Sequence, residues 1–218
     1  MPNLLAHSSS PFAYGLVLLL LSIIPLVLLS LTSFIKFSVV FSILRSALGA
    51  GQLPSAAITS LVALILTAYV MLPVFSEISL NLQNQKNIKT DLNSIFSILN
   101  ESSLPLQTFL EKHAGQKERD FFKGLLPENQ SKNLKMENLV TIASAFVVSE
   151  LKESFAVGFA IYIPFLIIDL VVANILVGMG MMMVSPITIS VPAKIALFVL
   201  CDGWYLLCKG LVMSYVEV

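Results

Sequence analysis

The chain has 218 residues, 56% of them hydrophobic and only 12% charged, with a mean hydropathy of +0.88. Soluble domains carry about 25% charged residues, so this chain cannot clothe a water-facing globule. Its 13 basic and 13 acidic residues cancel, which excludes the concentrated cationic surface that general binding to nucleic acid requires. The charges are also segregated: residues 86–153 hold nine of each sign and the remaining 150 residues only four of each. This pattern is that of a membrane or membrane-like protein with one small polar insert.

The first apolar run, residues 12–31, is uncharged and about 30 Å long as a helix, enough to cross a bilayer core. No Lys or Arg precedes it, and Pro25 lies inside it, so a retained helix is favoured over a cleaved signal. Residues 33–48 are helical in character, end at Gly49, and carry Lys36 and Arg45 as their only charges. With no acid beside them in sequence, these two mark the cytoplasmic side first and partner contacts second. A further uncharged run predicts a helix over 55–72, opened by Pro54 and Ser55 and stopped by Pro73. Together these elements make an amino-terminal apolar region, residues 1–76.

The insert, residues 77–153, is mainly helical by pattern. Ser103, Leu104 and Pro105 open a helix that Ala114 and Gly115 close; residues 116–124 form a short amphipathic helix; residues 138–152 form another. Residues 154–218 complete the chain as apolar helical hairpins. One stretch runs to Met183, interrupted by Pro164 and Asp169. The next spans about 187–213, interrupted by Pro192, Lys194, Asp202 and Lys209. Prolines there are expected to kink or break the helices, and the charges must face protein or water rather than lipid. The expected fold is all-α, with membrane-associated broken helices and hairpins, a small helical polar insert and few or no strands. Alternation from Lys36 and Arg45 inside places both termini and the insert outside.

Enzyme signatures are missing, and no His or Cys cluster has the spacing of a metal site. No cofactor is expected. Cys201 and Cys208 lie roughly 10 Å apart on a helix, too far for a mutual disulfide. Asp169 and Asp202 fit either a proton-relay pair or structural capping of a broken helix, the structural role being favoured. An intramembrane aspartyl protease or a self-contained secondary transporter are the alternative functions. The first lacks that class's sequence contexts, and the second lacks an internal repeat. Glu150 and Lys194 border apolar helices, where they either pair or snorkel independently. Met179, Met181, Met182 and Met183 sit among Gly178, Gly180 and Pro186, which marks a turn; by themselves they favour ordinary apolar packing at a hairpin tip.

Several runs of residues resemble a known family. They are Thr-Ser-Phe (32–34), Leu-Arg-Ser-Ala-Leu-Gly (44–49), Ser-Glu-Leu-Lys (149–152), Phe-Ala-Val-Gly-Phe (155–159), Pro-Phe-Leu-Ile-Ile-Asp-Leu-Val (164–171), Met-Gly-Met-Met-Met (179–183) and Leu-Phe-Val-Leu-Cys-Asp-Gly-Trp (197–204). In this order they resemble the FliP/SctR family of core export-apparatus proteins in flagella and injectisomes. The missing amino-terminal basic region is more similar to the injectisome branch, associated with virulence.

The resemblance implies a homopentamer in the bacterial inner membrane, joined by S-type and T-type subunits, the inner rod and needle base, and the basal-body rings. Its cargo would be unfolded secreted proteins. It also implies that the apolar helices sit largely above the bilayer plane, in contact with lipids only in part, with the insert periplasmic. The methionine turn then becomes a pore gate, and Glu150 and Lys194 a salt bridge between neighbouring subunits.

Overall fold

The computed structural model describes residues 22, 29–49, 54–84, 104–125 and 135–216, and every regular element among them is a helix. The elements are α1 (Phe34–Leu48), α2 (Ala56–Asn84), α3 (Leu104–His113), α4 (Gln116–Gly124), α5 (Lys135–Gly178), α6 (Pro186–Leu200) and α7 (Gly203–Val216). Most of the expected run 12–31 lies outside the described residues.

Helix α1 is the centre of the core. Phe37, Val40, Phe41, Leu44 and Leu48 recur at helical spacing and are buried, so one continuous stripe faces α5 and α2, its main neighbours. Gly158 of α5 permits this approach: a Cβ there would collide with Ile43.

Two expected helix breaks do not occur. Pro73 lies inside α2, which continues to Asn84 instead of stopping. Pro164 lies inside α5, an unbroken helix of 44 residues. A proline removes one backbone bond and crowds the preceding turn. In long apolar helices the bonds of the neighbouring turns and the packing around them absorb that loss.

The break falls instead between α6 and α7, whose axes bend by 62°. Asp202 has φ 55° there, a left-handed conformation that Asp tolerates better than most residues. Pro192, by contrast, is accommodated within α6.

The helices expected in the insert are found at their expected bounds for α3 and α4. The third, 138–152, is no separate element but the first part of α5. At about 66 Å, α5 is twice the length needed to cross a bilayer core of about 30 Å. Along its length it packs against α1, α3, α4 and α6. Among the described residues, two helices, over Ala56–Asn81 and Asn138–Gly178, are long and apolar enough to be membrane spans, and the bent pair α6–α7 would make a third.

Candidate functional site

Helix α6 folds back along α5, and this hairpin decides where the charged side chains meet. The turn at its tip is built locally. Gly180, at φ 75°, closes a left-handed cap in which its N–H donates to the Val177 carbonyl at 3.0 Å. The Met181 N–H reaches back to the Leu176 carbonyl at 2.9 Å. These two bonds satisfy the last carbonyls of α5 and end it sharply. The chain between Gly178 and Pro186 is therefore a tip, as the sequence predicts. All four methionines are exposed on it, Met182 at 82% and Met183 at 101%. They touch no buried core within the single chain, so packing inside this chain does not explain them.

Midway down the hairpin, Lys194 of α6 is buried. Its Nζ donates to Asp169 Oδ2 at 2.6 Å and to the Ala47 carbonyl at 2.9 Å. Ala47 is in the last turn of α1, where free carbonyls and the helix dipole favour a cation. One ammonium thus ties together α1, α5 and α6. Asp169 is paired with a lysine and not with a second carboxylate. Asp202 stands exposed at the α6–α7 break, its carbonyl accepting from the Leu206 N–H at 3.1 Å. Asp169 thus meets a lysine through its side chain, whereas the bond at Asp202 is made by its backbone.

At the base of the hairpin lies a second charged knot. Lys36 is 2% exposed and Glu150 1%. The Lys36 Nζ sits 3.3 Å from Glu150 Oε2 and 2.7 Å from Glu153 Oε2. It also lies 4.4 Å from the centroid of the Tyr215 ring, close enough for cation–π attraction. The Tyr215 hydroxyl donates to Glu150. Around this group, Phe37, Phe109 and His113 pack on Tyr215 with ring centroids 5.7, 6.0 and 4.9 Å away. Burial, with help from the Lys36 and Lys112 charges, pushes the His113 pKa down to about 4, so the imidazole is neutral at pH 7. Out on the surface, Lys152 pairs with Glu118 at 3.0 Å, and that bond holds the Glu118 carboxyl below its usual range.

Lys36 is therefore paired within the chain, and the acid missing beside it in sequence arrives from α5. Arg45 is half-buried and has no ion pair among the described residues. Glu150 and Lys194 each have another partner inside the chain. The stretch of α5 from Glu150 to Asp169, where Lys194 docks, is about 28 Å long. A direct bond between Glu150 and Lys194 can therefore form only between two copies.

Sequence reasoning missed Tyr215, Glu153 and His113 as members of the charged knot. One signal was available for Asp169 and Lys194, which lie equally far on either side of the methionine turn. The same fold-back register sets Phe165 against Phe198, their rings 6.2 Å apart. No group of three His, Cys, Asp or Glu side chains able to hold a metal is found among the described residues.

Comparison with known proteins gives one consistent picture. The model of the FliP family matches residues 17–211. The Yop proteins translocation protein R of Yersinia pestis is 46% identical over 204 residues, covering 92% of this chain and 94% of that protein. The flagellar biosynthetic protein FliP of Bacillus subtilis is 40% identical over 207 residues, covering 95% and 93%. The virulence protein YscR of Salmonella typhimurium is 39% identical over 212 residues, covering 94% and 97%.

Proposed function

Because the chain belongs to the FliP family, we propose that it is a core component of a type III secretion export apparatus and works there as one segment of a gated, ring-shaped portal for unfolded proteins. The injectisome branch fits best, given the identity with the Yersinia protein. In this reading five copies form the ring, S-type and T-type subunits complete it, and the assembly sits at the bacterial inner membrane beneath the inner rod and basal-body rings. The insert lies on the periplasmic side, and unfolded secreted polypeptides are the cargo.

The observation that carries the portal reading is the methionine turn. It is a rigidly capped tip whose long, flexible side chains point away from their own chain. Several such tips converging on an axis would exclude water and ions by dewetting. Thioether side chains form no bonds that a passing polypeptide would have to break, and they re-pack readily around it. The broad apolar faces that α2, α5 and α6 leave exposed are what neighbouring subunits or lipid would cover.

The test is replacement of Met181, Met182 and Met183 by Ala in the complete apparatus. Assembly should persist, because the charged knots lie elsewhere, while ion conductance during secretion should rise. Conductance equal to that of the parent, with assembly intact, would return the cluster to packing.

The proposed Glu150–Lys194 clamp between copies competes with the in-chain pairs. Exchanging the charges of Glu150 and Lys194 together should restore assembly if the clamp dominates. Rescue by the Asp169–Lys194 exchange instead would assign Lys194 to its own chain.

A further inference from the structure

Helix α7 carries two different faces. Its inner face, through Leu207, Gly210 and Leu211, lines an apolar groove of about 420 Å³ whose other walls include Val157, Ile161 and Phe198. At the rim of this groove stands Glu153. Its Oε2 is held by Lys36, yet its side chain is 58% exposed and no described group occupies its second oxygen. The outer face of α7 is an exposed apolar ridge of Tyr205, Met213 and Val216, with Leu206 at the border between ridge and groove, and Lys209 sits in the middle of the ridge. That ammonium has no ion pair among the described residues and lies 5.8 Å from the centroid of the Tyr205 ring.

Groove and ridge are complementary. One is apolar with an anion at its edge, and the other is apolar with a cation at its centre. Each charge is expensive on an otherwise apolar helix that contacts lipid or bare protein. Gly210, next to Lys209 in sequence, and Glu153 line the same groove. Complementary patches on opposite sides of one helix define a head-to-tail contact, which closes into a ring when the rotation allows.

We propose that the α7 ridge of one copy seats in the α5–α7 groove of the next, with Lys209 of that copy bound to the free oxygen of Glu153. The proposal rests on the ring reading above and adds the surface through which copies of this chain meet. The seated ridge would cover apolar area on both partners, while the new ion pair would fix the height at which neighbours dock. A buried pair of this kind is most useful for register, because its desolvation cost offsets much of its attraction.

The experiment uses two differently tagged full-length copies expressed together with the partner subunits. Cys201 and Cys208 are replaced by Ala in both; one copy carries Glu153→Cys and the other Lys209→Cys. Under mild oxidation a mixed-tag disulfide dimer should form, and copies carrying only one of the two cysteines should yield none. Native mass spectrometry of the same preparation separates the possible failures. Intact multimers without the mixed dimer would overturn this contact and leave the portal reading standing. Absence of multimers in the parent protein would overturn both. Glu153→Gln, whose amide oxygen still accepts from Lys36, and Lys209→Ala should each reduce multimers several-fold and together no further than either alone; independent, additive losses would count against the pair.

Discussion

The two ends of the α5 hairpin differ in how far a single chain completes them. At the base, Lys36, Glu150 and Tyr215 satisfy one another inside a shell of aromatic rings drawn from α1, α3, α5 and α7, and Glu153 adds one oxygen to Lys36 from the rim. At the tip, four methionines and the flanking apolar faces of α5 and α6 remain bare. Buried charge must be paired within the fold that buries it, or folding fails. Bare apolar surface carries no such local demand and can wait for a neighbour. The base therefore belongs first to the stability of the chain, with only the outer oxygen of Glu153 left for a neighbour, and the tip to what the chain does with others.

The largest expected effect breaks the base. Lys36→Ala would leave Glu150 buried without its cation, a loss of about 3–5 kcal/mol, and a typical domain has only about 5–15 kcal/mol to lose. Folded protein in detergent should fall sharply by size exclusion and near-UV circular dichroism. Lys36→Met combined with Glu150→Gln should recover much of it, since no buried charge is then stranded and Tyr215 keeps an acceptor. Failure of the double variant to recover would show that the ion pair contributes more than charge balance.

Next in size is the α1–α5 contact. Gly158→Ala should destabilise the chain by about 1–3 kcal/mol, because its methyl group meets Ile43 in a packed interface. Truncating Ile43 to Ala in the same chain should relieve part of that cost. Thermal unfolding of the single and double variants reads the difference.

A smaller effect sharpens the contrast through pH. His113 has its folded pKa lowered from 6.5 to about 4, so the unfolded chain binds more protons between those values. Stability supplied by the neutral, buried imidazole is fully present above about pH 6.5 and is lost as pH falls toward 4. His113→Phe should flatten this part of the pH–stability curve. The methionine variants, which touch nothing at the base, should leave it unchanged.

The smallest effect is expected for Lys152→Ala. Its pair with Glu118 is exposed, and such surface pairs contribute little and are screened by salt. The unfolding midpoint should barely move, and less still at high ionic strength.

Much of the secondary structure was legible in the residues. Gly49 ends α1, Leu104 and Pro105 open α3, and Gly115 separates it from α4. The turn at Gly178–Pro186 needed only the local preference of Gly and Pro. Pro73 misled the reading of a helix end, because a proline's local cost is fixed while its outcome depends on the apolar length around it. The family motifs, read in order, pointed to the export apparatus before any contact was known.

What the sequence by itself determined is short-range: which segments are helical, which are too apolar for water, and where the Gly180 cap must turn the chain. Local dihedral preferences and hydrophobic periodicity act over a few residues, and they are present in any short window. The partners of the charges are another matter. Lys36 and Glu153 are separated by 117 positions, and Lys194 reaches the end of α1 across 147. No window of sequence contains both members of such a pair. Only the fold-back of α6 and α7 along an unbroken α5 brings them together, because side chains choose among partners by distance and burial, and both are properties of the tertiary structure.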